Sequence, residues 1–238
     1  MTTTSAVPAA SARRRQSGPP LLLPAVAFAA LMVVSIVLAR QTPLPTDSAA
    51  DTLAYYQDHA TAAKVAGTLQ FGASVPLAVW AAIAYQRLRR LGVAAPGPGI
   101  ALVSGVLSAT SMALCGLTVW TASRAGDLGD APLARSLADL TFASGGPGHV
   151  VPFAVMLAGV AVPMLLLGFG PKGFAWAGLV LAGVGVLGTL ALLSTSLGLF
   201  LPIARFGGLI WLIAASAILP KQRPPRRSAG YEPEVEPV

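Results

Sequence analysis

Leu21–Ala39, LLLPAVAFAALMVVSIVLA, runs nineteen residues without a charge, an amide or a glycine. As a helix rising 1.5 Å per residue it covers roughly 28 Å, close to the hydrocarbon thickness of a bilayer. Five more stretches of this kind follow, at about Val65–Tyr85, Gly99–Ala122, His149–Gly168, Phe174–Thr195 and Leu199–Leu219. None of the six contains Asp, Glu or Lys, and a single arginine, Arg205, lies in the last. The runs are long and continuously apolar, with no ten-residue alternation, so they predict helices and not barrel strands.

Composition agrees. The chain has 238 residues, of which 55% are hydrophobic and only 11% charged, and its mean hydropathy is +0.71. A water-soluble domain carries roughly 25% charge and cannot hide this much apolar surface. An ordinary soluble enzyme, a disordered chain and a nucleic-acid binder are therefore excluded as readings. The net charge of +7 describes orientation instead. With the N-terminus inside, the cytoplasmic segments hold Arg13, Arg14, Arg15, Arg87, Arg89, Arg90, Lys172, Lys221, Arg223, Arg226 and Arg227, and the outer segments only Arg40, Lys64, Arg124 and Arg135. That bias predicts both termini in the cytoplasm. The first span, longer than a signal-peptide core, reads as a retained anchor.

Residues 1–18 and 221–238, rich in Ser, Ala, Pro and charge, are expected to be disordered tails around a six-helix domain at 19–220. Two outer loops predict short interfacial helices. Asp47 or Ser48 caps the first, whose Leu53, Tyr56 and Ala60 share a face, with Tyr55 and Tyr56 at headgroup depth. Asp130-Ala131-Pro132 starts the second, with Leu133, Leu137 and Leu140 as its apolar stripe, and Gly145-Gly146-Pro147-Gly148 breaks the chain before the fourth span. These helices read as connectors over the bundle's outer end, with a lid over a pocket as the functional alternative.

Few residues carry chemistry. Gly183-Val184-Gly185-Val186-Leu187-Gly188 matches the dinucleotide pattern, but inside an apolar span its glycines fit close helix packing, as do Gly105, Ala109 and Ala113, or Gly178 and Ala182. Ser104 and Ser108 read as buried hydroxyls, Gln70 as a cross-helix hydrogen bonder and Cys115 as a small packing residue. Arg205, about six residues inside its span, is the most informative. It either snorkels or pairs structurally with Asp139, Asp130 or Asp127, or else it marks an anion or ligand site. His59 and His149, near the outer interface, could join Asp51 and Asp58 only in a weak metal site, and His149 otherwise caps the fourth span or sits at headgroup depth. No nucleophile elbow, P-loop or intramembrane acid pair is present, and no span holds the carboxylate that proton coupling uses.

Residues 145–220, GGPGHVVPFAVMLAGVAVPMLLLGFGPKGFAWAGLVLAGVGVLGTLALLSTSLGLFLPIARFGGLIWLIAASAILP, together with LAYYQDHATAA at 53–63 and RLRRLGVAAPGPGIAL at 87–102, resemble a family of bacterial six-pass integral membrane proteins catalogued only as a domain of unknown function. The resemblance covers roughly residues 20–220. It implies an all-helical inner-membrane protein and no assigned activity, so no site residue is carried over. The expectation is an all-α, six-helix, N-in and C-in protein without catalysis or cofactor, its partners the lipid bilayer and other membrane proteins or a small molecule. Its leading role is envelope stress response, regulation or assembly. The alternative is a small-molecule binder or facilitator with an outward pocket near Arg205, Asp139, His149 and His59.

Overall fold

The structure, a computed structural model, describes residues 20–39 and 42–221, so both expected tails lie almost wholly outside the described residues. Every regular element described is helical. The α-helices are α1 (Leu22–Ala39), α2 (Ala49–Asp58), α3 (Ala60–Arg90), α4 (Gly97–Leu128), α5 (Ala131–Gly145), α6 (Pro147–Leu167), α7 (Lys172–Leu187) and α8 (Phe200–Ile218). Two short 3-10 helices, Gly188–Leu192 and Thr195–Leu199, join α7 to α8. Six helical segments are long and apolar enough to cross a membrane, the architecture of a multi-pass membrane protein. The outward side chains agree: Leu23, Leu166 and Ile210 are at least 70% exposed, a surface that water would penalise and lipid would not.

Small residues set the helix spacing. A Cβ at Gly67 would lie 2.7 Å from Gly116 O, and one at Gly116 would lie 2.5 Å from Phe71 N, so α3 and α4 touch backbone to backbone. Gly159 of α6 meets Ala101 N of α4 in the same way, at 2.7 Å. Dispersion over such close contacts drives association where lipid removes the hydrophobic force. The buried row on α4 runs Gly105, Ala109, Met112, Gly116, so Ala113 is off its centre and only partly buried. In the dinucleotide-like stretch, Gly185 packs on Ala154 and Ala204 and Gly188 on Leu201, while Gly183 faces open space. The stretch ends a helix and turns to 3-10; it does not follow a strand.

The helices α3 and α4, 31 and 32 residues long, reach roughly 46–48 Å and so overshoot about 30 Å of hydrocarbon. Their protruding ends are flanked by α2 and α5. Ser48 caps α2 by accepting from Asp51 N, and His59 breaks the helix, so Ala60 begins α3 instead of extending the face of Leu53 and Tyr56. Tyr56 is not half wet but 2% exposed, against Gly126 of α4. Burial pushes the phenols of Tyr55 and Tyr56 above their ordinary value, with Tyr55 adding to the shift at Tyr56.

Asp130 caps α5 by accepting from Leu133 N, with Pro132 in its first turn. From there α5 departs from expectation. The residues it buries are Ala134, Ala138, Ser144 and Gly145, while Leu133 and Leu140 are exposed. A two-residue turn separates α4 from α5, and Gly145, fourteen residues after Ala131, meets Cys115, thirteen before Leu128. The pair is an antiparallel hairpin. Thus α5 runs down the side of α4 into the bundle and does not lie across its end. Only small side chains allow that approach, which leaves the leucines on the outside.

Candidate functional site

The chain reverses at the foot of α5. Gly146, with ψ near −107°, ends the helix, and α6 starts at the next residue. A Cβ on Gly145 would sit 2.4 Å from Cys115 Sγ, and one on Gly148 2.8 Å from Ala143 O, so this turn accepts nothing larger than glycine at either place. The break therefore lies beside Cys115 of α4 and Gln70 of α3, both deep within apolar runs. Here α5 presents its last carbonyls and α6 its first N–H groups, the negative and positive ends of two helix dipoles.

Arg205 of α8 closes this break. Its Nη2 donates to Gly145 O, capping the carbonyl end of α5. The residue is partly exposed, but its Nε is buried and has no hydrogen-bond partner within the protein. No carboxylate lies within ion-pair distance of it among the described residues. The three acids expected as partners are occupied or distant. Asp139 is exposed and pairs with Arg135 on α5, Asp130 caps α5, and Asp127 stays near the end of α4. Arg205 thus does not form the structural ion pair the sequence suggested.

His149 sits in the first turn of α6, fully buried, and makes no side-chain cap there. It stacks on Phe153 with centroids 5.5 Å apart and meets the edge of Phe28 from α1 at 6.3 Å. Its Nδ1 lies 2.8 Å from Ser108 Oγ and 3.2 Å from Ser108 O, and Ser108 Oγ in turn donates to His149 O. A carbonyl only accepts, so Nδ1 carries the proton and Nε2 of the neutral ring is an acceptor. That Nε2 is buried without a partner, as is Thr141 Oγ1 on α5. Gln70 Nε2 donates to Cys115 Sγ at 3.2 Å, and Cys115 Sγ donates to Thr141 O at 3.5 Å. Arg205 reaches the same turn through Gly145, the residue that packs against Cys115 Sγ.

Five elements supply polar groups to this one site: α3, α4, α5, α6 and α8. Of the four residues the sequence put forward, the fold places Arg205 and His149 at the α5–α6 break, the first on the end of α5 and the second in the first turn of α6, and leaves Asp139 and His59 outside. His59 is exposed, stacks on Tyr55 and contacts Tyr55 O through Nδ1. The two histidines do not converge, and among the described residues no group of three His, Cys, Asp or Glu could hold a metal. Sequence reasoning missed Thr141 and the capping role of Gly145 O, because α5 reads as a surface connector. The signal that could have found them is the Gly-Gly-Pro-Gly break followed within one turn by His149. No protein-family model, curated protein or solved structure matches the chain, so geometry alone carries the functional reading.

Proposed function

We propose that this chain is a non-catalytic, multi-pass protein of a bacterial cytoplasmic membrane, with both termini in the cytosol, that binds a small oxyanion at the α5–α6 break. Membership in the six-pass family it resembles belongs to the same proposal, as does a regulatory role in which ligand capture is the input. Orientation is supported by the charge bias of the connecting segments, and by Asp47, Asp51, Asp127, Asp130 and Asp139 all lying toward one end. On that orientation α2 and the top of α5 stand on the outer side, and the break lies below them within the outer half of the bundle.

One observation carries the binding proposal: around the α5–α6 break, Arg205 Nε, His149 Nε2 and Thr141 Oγ1 are each buried without a protein partner, and Arg205 has no carboxylate counter-charge among the described residues. A guanidinium inside a membrane bundle strongly favours an anion, and orphaned buried polar atoms cost free energy until something bonds them. Arg205 offers a donor and neutral His149 an acceptor, so the fitting ligand accepts at one atom and donates at another. Hydrogencarbonate, dihydrogen phosphate and short hydroxycarboxylates have this pattern; chloride and nitrate do not. Thermal unfolding of the purified protein against such a panel, at equal ionic strength, tests it. Oxyanions bearing an O–H raise Tm by several degrees, chloride does not, and Arg205→Gln abolishes the shift. His149→Phe keeps anion binding but loses the preference. If no anion shifts Tm, or Arg205→Gln responds like the native chain, the site holds ordered water only and the proposal fails.

A further inference from the structure

At the opposite end of the bundle, the α3–α4 connection encloses a second feature. The C-terminus of α3 carries Arg89 and Arg90, both exposed, and Gly92 (φ 88°) turns the chain back toward α4. Arg89 Nη1 donates to Val93 O at 3.1 Å, which fixes the guanidinium over the turn. Beside it runs an open groove of about 620 Å³, mostly apolar, lined by Tyr85 and Arg89 at its polar end and by Ile100, Val103 and Ser104 of α4 along its length. Ile100 is 43% exposed, Val103 68% and Leu107 54%, and their spacing of three and four continues the stripe along the helix axis.

We infer that this groove is a specific site for an anionic phospholipid, its phosphate on Arg89 beside the Tyr85 ring and one acyl chain along Ile100, Val103 and Leu107. Charge complementarity selects the occupant. Every described acid, Asp47, Asp51, Asp58, Asp127, Asp130 and Asp139, belongs to the far end of the bundle, so no described carboxylate competes for these arginines. A guanidinium binds phosphate through paired N–H donors, and a basic cleft between helices at a membrane face attracts anionic headgroups. A tyrosine suits the same depth, where one end of its ring is apolar and the other wet. The site is separate from the Arg205 site and does not depend on it.

Native mass spectrometry of the full chain, stripped of lipid in detergent, reads the selectivity directly. With equal amounts of dioleoylphosphatidylglycerol and dioleoylphosphatidylcholine, the first bound lipid is phosphatidylglycerol by about fivefold, the ratio one interfacial arginine supplies. Arg89→Gln brings the ratio near one, and Val103→Trp, which fills the acyl slot, lowers occupancy by both lipids. Excess inorganic phosphate leaves the ratio unchanged. A ratio near one in the native chain, a ratio retained in Arg89→Gln, or displacement by free phosphate overturns the proposal. Should Arg89→Gln fail to fold, undiminished lipid binding by Val103→Trp overturns it equally.

Discussion

Arg205 donates to the last carbonyl of α5, so its charge sits at the negative end of a helix dipole instead of beside a carboxylate. That contact offsets part of the cost of a buried guanidinium and leaves Nε–H available. Two glycine substitutions compare the tight turn with an open position elsewhere. Gly145→Ala drives a methyl to 2.4 Å from Cys115 Sγ, and overpacking of this kind costs about 1–3 kcal/mol, read as a lower Tm without any ligand. Gly99→Ala, on α4, meets open space and leaves Tm close to native. Cys115 supplies a third measurement. Its side chain is 2% exposed and hydrogen-bonded on both sides, so N-ethylmaleimide leaves it unmodified in the folded protein and labels it at the rate of unfolding. Rapid labelling of native protein would mean that the break is open to solvent.

At the scale of elements, Arg135 of α5 ties down the segment leading into α2 through two backbone carbonyls. It donates to Leu44 O at 2.7 Å and Asp47 O at 3.0 Å, and it pairs with Asp139. The ion pair itself is exposed at the Asp139 end and is worth less than about 1 kcal/mol, so Asp139→Asn has little effect. Arg135→Ala removes the carbonyl contacts as well. Amide exchange over 44–58 then speeds up while α4 and α6 stay protected, and unchanged exchange would contradict this assignment. The tyrosines give this region a pH dependence. Their phenols are raised in the folded state by burial, so the unfolded chain ionises first. Stability from this source is complete below about pH 10, the unfolded value, and is lost as pH rises through the folded values. Tyr55, whose hydroxyl donates to Ala39 O, links the loss to detachment of α2 from α1. Absorbance at 295 nm should show Tyr55 and Tyr56 titrating late.

For the whole molecule, the orientation proposed here places residues 92–95 in the cytosol and residues 129–130 outside. Cysteines introduced at Ala95 and Gly129 should react with an impermeant maleimide from opposite faces of right-side-out and inverted vesicles. Labelling of both from one face would contradict six crossings. The spans themselves were legible because burial in lipid needs nothing but length and the absence of charge, and Leu21–Ala39 declares both without reference to its neighbours. The caps at Ser48 and Asp130 were legible for a similar reason, since a cap is a contact over three residues. The partners of Arg205 were not. Asp139, in the loop expected beside the span of Arg205, is a natural partner by topology, yet α5 turns it outward and brings in Gly145 O, because Ala134 and Ala138 let that helix pack where leucines could not. Sequence alone therefore determined that this chain has six segments long and apolar enough to cross a bilayer, since hydrophobicity is additive along a segment. Only the tertiary structure decided that α5 enters the bundle and that Arg205 Nε, His149 Nε2 and Thr141 Oγ1 are left without protein partners around its break, because that depends on which small residues allow two backbones to touch.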